Sequence, residues 1–165
     1  NLEKRLLPSS ARLQDPYGDY ARLYESRTPR QLLALFQSIE KYRAGEHCSN
    51  LLRDSTDDPL TIEHVYPQTP DRWKSDLKAW DTSSTALKNR LHTLGNLAVV
   101  PKSINSEMSN ERFLEKKQIL KENVFVELTV NREWQSPNQS KWTPEAIDMR
   151  AASLLGDFLK AHPYD

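Results

Sequence analysis

Residues 61–68 read TIEHVYPQ, so an acid, Glu63, stands directly beside a histidine, His64, at the end of an apolar run and just before Pro67. A histidine with a pKa near about 6.5 can take a proton at neutral pH, provided a neighbour fixes which ring nitrogen is free. Carboxylate and amide oxygens are the hard donors that magnesium and manganese prefer. Two later asparagines carry such amides: Asn96 at the head of a second apolar run, and Asn105 nine positions on, at the turn into a helix. Together these types suit hydrolysis by a deprotonated water, with a cation to neutralise developing negative charge. They also suit ordinary structure: two surface polars at a strand end, a Gly-Asn turn and a helix cap.

The elements around these residues follow from spacing. Thr28 and Pro29 open a helix whose apolar residues Leu32, Leu33, Phe36 and Ile39 fall on one face, and Gly45 stops it. LTIEHVY reads as a short strand ended by Pro67 and Pro70. DRWKSDLKAW and TALKNRLHTL read as short helices leading to Gly95, and NLAVVP reads as a second strand closed by Pro101. SEMSNERFLEKKQILKEN is helical with a new start at Ser109 or Asn110, and VFVELTV either alternates as a strand or extends the packing of that helix. Thr143 and Pro144 open a last helix with Ile147, Ala151, Leu154, Leu155 and Phe158 inward. The first 27 residues show no clear period and read as an arm with short helical pieces. The predicted fold class is α+β, mostly helical, with one pair of strands. Adjacent strand residues face opposite sides, so Glu63 and His64 share one site only if the strand end is distorted, with Pro67 enforcing it. His92, at a helix end, reads as packing or a dipole partner rather than a second base. The four tryptophans read as core anchors.

Strand, strand, helix carrying His, Asn and Asn in that order is the layout of a ββα-metal finger. IEHVYP, LGNLAVVPKSIN and SNERFLEKK resemble the HNH, or His-Me finger, nucleases, specifically the C-terminal domain of GmrSD-type modification-dependent restriction enzymes and related phage-defence nickases. LLALFQSIEKY and WTPEAIDMRAASL resemble that family's flanks, which extends the likeness over residues 28–163, a single nuclease domain. The resemblance implies a metal-dependent DNA endonuclease, nicking as a monomer. In it His64 is the general base, Asn96 orients the finger and its histidine, and Glu63 and Asn105 bind one divalent cation, Mg2+ or Mn2+. It further implies a parent defence protein with an N-terminal, nucleotide-hydrolysing sensor domain.

Composition sets limits on this reading. With 23 basic and 23 acidic residues the chain is neutral, so a DNA surface must be a local patch. Thr82 to Ser106 contains Lys88, Arg90 and Lys102 and no acid, a local charge of +3. If the helix after Asn105 runs unbroken, Ser109, Arg112 and Lys116 share its face, so Lys102, Arg112 and Lys116 are the expected phosphate contacts. The single cysteine, Cys48, allows no internal disulfide and no paired-cysteine zinc, so no structural zinc is expected and the setting reads as cytoplasmic. No apolar run approaches the length of a membrane span. A chain that opens on Asn1 reads as a piece of something longer. Two other readings compete: a non-catalytic nucleic-acid-binding module that keeps the finger as scaffold, and a helical interaction domain.

Overall fold

The computed structural model describes residues 23–45, 57–123 and 128–163. Its two longest helices begin where the caps predict. In α2 (Pro29–Ala44) the Thr28 hydroxyl accepts from the Gln31 N–H at 3.3 Å, while the Gln31 side-chain oxygen accepts from the Thr28 N–H at 2.9 Å. Gly45 ends the helix at φ 58, its N–H donating to the Lys41 carbonyl. The last helix, α8 (Pro144–Ala161), starts on Thr143, which caps the Ala146 N–H. Between them run α3 (Lys74–Ala79), α4 (Ser84–Lys88), α5 (Lys102–Met108), α6 (Phe113–Glu122) and α7 (Arg132–Gln135), and α1 (Leu23–Ser26) precedes α2.

The sheet is the predicted antiparallel pair, β1 (Leu60–His64) with β2 (Leu97–Pro101), in a register that sets His64 opposite Leu97 and Glu63 opposite Ala98. Every residue of β2 is buried, because both faces of the hairpin are covered. Leu97 and Val99 join Leu60 in the core with Leu32, Phe36 and Ile39 of α2 and Leu154 and Phe158 of α8. Ala98 and Val100 face the other way, toward Ile104 and Met108 of α5, Phe113 and Leu120 of α6, and Trp73, Trp134 and Trp142. The hairpin is thus the middle layer of a helical sandwich, and β1, β2 and α5 form the ββα unit.

Side chains satisfy the carbonyls that the hairpin turns outward. Ile62 O accepts from Asn105 Nδ2 at 3.1 Å and His64 O from Lys116 Nζ at 2.8 Å. On β2, Leu97 O accepts from Arg150 at 2.6 Å and Val99 O from Asn131 Nδ2 at 2.8 Å. These are alternate residues of each strand, whose carbonyls point away from the partner strand.

The expected break comes at Ser109, which adopts φ 36, but α6 begins only at Phe113, later than Ser109 or Asn110, and the continuous face of Ser109, Arg112 and Lys116 does not form. From 71 to 93 the helices are short, as expected: a 3-10 turn at Asp71–Trp73 followed by α3 and α4. Residues 124–127 of VFVELTV and Cys48 lie outside the described residues, while Thr129–Asn131 is a 3-10 turn. Most of the 1–27 arm also lies outside them; its end forms a short helical piece as expected, α1, and its Leu23 is buried in the core.

Candidate active site

Glu63 shares a face of β1 with Thr61, the face turned to α5 and α6. There the Asn105 amide donates to Thr61 Oγ1 at 2.9 Å and to Ile62 O, which pins the first turns of α5 to the strand. The Glu63 carboxylate pairs through Oε1 with the ammonium of Lys116, from α6. Burial pushes the Glu63 carboxyl above its usual range, opposed by the Lys116 charge, and pushes Lys116 down, opposed by Glu63.

His64 faces the opposite way, as strand alternation dictates. The ring of Tyr24 lies edge-on to it with centroids 4.4 Å apart, and its Nε2 meets His92 Nδ1 at 3.1 Å. Burial above all, with the neighbouring His92 and Lys116, pushes the imidazole down to about 4, so His64 is neutral at physiological pH. No strand distortion brings Glu63 and His64 onto one face; a molecule that touches both must lie across the end of β1.

Asn96 is fully buried on the Leu94–Asn96 3-10 turn and uses its whole amide. Nδ2 donates to the carbonyls of Tyr66 and Leu91, both at 2.9 Å, and Oδ1 accepts from the Tyr66 N–H at 2.8 Å and Trp142 Nε1 at 3.0 Å. Its backbone carbonyl accepts from the Val65 N–H. Asn96 therefore fixes the chain just after His64 and makes its bonds to backbone and indole, while the imidazole finds its partner in His92. Exposure separates the two groups: His64 and Glu63 keep 6% and 7% of their surface, Asn96 and Lys116 keep none.

Residues 17–156 match the family model described as GmrSD restriction endonucleases, C-terminal domain. The chain belongs to this family. No curated protein and no solved structure matches it closely.

In this GmrSD C-terminal domain the expected cationic surface is largely engaged internally. Lys116, expected on DNA, is buried against Glu63, because it stands between Phe113 and Leu120 on the inward face of α6. Arg112 is half-exposed and holds both carboxylate oxygens of Asp76 on α3. Arg90 forks onto Asp148 with two bonds of 2.8 Å, which removes one charge from the +3 patch. Lys88 and Lys102 remain exposed. No helix among the described residues is long and apolar enough to cross a membrane.

Among the described residues no three His, Cys, Asp or Glu side chains gather into a metal cage. A hard cation here would have as its donors the Glu63 carboxylate, whose Oε1 is already paired with the Lys116 ammonium, and the amide oxygen of Asn105, whose Nδ2 bonds Thr61 and Ile62. Sequence reasoning missed three residues that build the site. Arg150 is fully buried and donates to Gly95 O at 2.7 Å and to Leu97 O, clamping the turn that carries Asn96. Trp142 holds Asn96, and His92 holds His64. Arg150 has a signal in its place in the Ile147, Leu154, Phe158 stripe, while His92 and Trp142 stand out in the sequence but read as packing.

Proposed function

We propose that this domain hydrolyses phosphodiester bonds in DNA with one divalent cation, Mg2+ or Mn2+, and that His64 is the general base. The observation that supports this best is His64 itself. It is a neutral imidazole at a strand end with residual exposure, held on one side by His92 and flanked through the backbone by an anchored turn. A phosphate lying across the end of β1 meets His64 on one side and Glu63 with Asn105 on the other. Glu63 and Asn105 would hold the cation, which neutralises phosphate charge when bound. His64 takes the proton of the attacking water, and Asn96 keeps the backbone beyond His64 in place.

Lys102 is the expected phosphate contact that remains exposed; Arg112 serves only if Asp76 shares it. One finger supplies one centre, so a monomer nicks. Residues 28–163 act as the nuclease unit of a larger cytoplasmic restriction or anti-phage protein that acts on modified or foreign DNA. Its N-terminal part senses DNA and hydrolyses nucleotide, in keeping with the C-terminal place of the matched family model. Incubating supercoiled plasmid with the domain and Mg2+ or Mn2+ should give open circles, and His64→Ala should abolish them. Cleavage that survives His64→Ala, alongside salt-sensitive DNA binding without a cation, would favour a non-catalytic binding module instead.

A further inference from the structure

His92 comes from the loop after α4, 28 positions beyond His64, and its Nδ1 lies 3.1 Å from His64 Nε2. The two rings stand nearly perpendicular, at 80°, and Tyr24 touches both, edge-on to His64 and stacked on His92 with 11° between planes. An N···N contact of this length needs one proton, which belongs to one ring or the other. Beyond His92, its Nε2 lies 3.7 Å from the Glu25 carboxylate on α1. A carboxylate only accepts, so its charge favours the tautomer of His92 that carries the proton on Nε2. A neutral His92 then presents a lone pair at Nδ1. That lone pair accepts from His64 Nε2–H, and a neutral His64 is left with its own lone pair on Nδ1.

We propose that His92 is a positioning residue that fixes the working tautomer and ring direction of His64, with Glu25 setting the sense of the Glu25–His92–His64 chain so that Nδ1 of His64 is the proton acceptor. This deepens the nuclease reading and rests on it for its use. The hydrogen-bond direction itself is a property of the resting domain and is read without DNA.

The test is NMR on histidine-labelled domain, with long-range 1H–15N correlations and the scalar coupling across the N–H···N bond. The shared proton is expected on His64 Nε2, coupled to His92 Nδ1 and exchanging slowly with water. His92→Phe keeps an aromatic ring on Tyr24 but removes the acceptor. It should abolish the coupling and lower kcat by roughly 10- to 100-fold at nearly constant KM. His92→Asn, whose amide oxygen stands near the place of Nδ1, should recover most of that rate. Glu25→Gln, at a side chain 45% exposed, tests the sense of the chain and should shift part of the proton to His92 Nδ1. A proton resident on His92 Nδ1 in the parent, or no protected N–H on His64, overturns the proposal. So does equal loss of rate in His92→Phe and His92→Asn. Failure of the nuclease reading shows differently, as nicking that survives His64→Ala.

Discussion

Lys116 is the residue whose surroundings carry the largest consequence. Its ammonium is fully buried on the Glu63 carboxylate and on His64 O, so removing it strands a carboxylate that has almost no water. Lys116→Met should cost about 3–5 kcal/mol in urea unfolding, and adding Glu63→Leu should return most of it, because the unpaired charge goes too. Equal losses in the single and double variants would show that the pair is not the source. The position was legible and its meaning was not. Lys116 falls between Phe113 and Leu120, and Arg150 falls between Ile147 and Leu154, all at helical spacing. A stripe read from apolar residues alone passes over a cation set inside it. The spacing marks a face, but not the carboxylate or carbonyls that the face will meet.

At the scale of elements, the turn Leu94–Asn96 is defined by how closely it runs to α8. A Cβ on Gly95 would lie 2.0 Å from the Ile147 carbonyl oxygen, a backbone atom that cannot swing aside. Gly95→Ala should therefore cost about 3 kcal/mol or more and reduce nicking with it, since Asn96 moves with the turn. Gly156, inside α8, has open space where an alanine methyl would sit, with nothing within 4 Å, so Gly156→Ala should raise stability by about 0.5–1 kcal/mol through helix propensity. Melting curves of the two variants should shift in opposite directions. The caps Thr28 and Thr143, the two strands and the turn at Gly95 were readable because their causes lie within a few residues. The approach of Ile147 to Gly95, and of His92 to His64, depends on how separate elements dock, which no local pattern encodes.

At the scale of the whole molecule, Glu133 joins α2, α7 and α8. Its carboxylate accepts from Arg43 at 2.6 Å and Ser153 at 3.1 Å, while Arg43 also holds Asp157 at 2.7 Å. Burial works against the charge on Glu133, but the Arg43 hydrogen bond and the Arg150 and Arg43 charges outweigh it and hold the carboxyl below its usual range. The folded carboxyl thus releases its proton more readily than the unfolded one. Its contribution to stability is complete above the unfolded value of 4.5 and is lost as pH falls from there through the lower folded value. Stability measured from about pH 7 to about pH 3 should fall through that window, and Glu133→Gln should flatten the fall; an unchanged slope would place the acid sensitivity elsewhere.

The side chains seated on Ile62, His64, Leu97 and Val99 have one more effect. A ribbon of two strands is all edge, and a bare edge is a template on which a strand from another chain can grow. Here Asn105 and Lys116 guard one margin and Arg150 and Asn131 the other, so the ribbon is closed to extension. The sheet of the described residues therefore offers another chain no bare margin on which to add a strand.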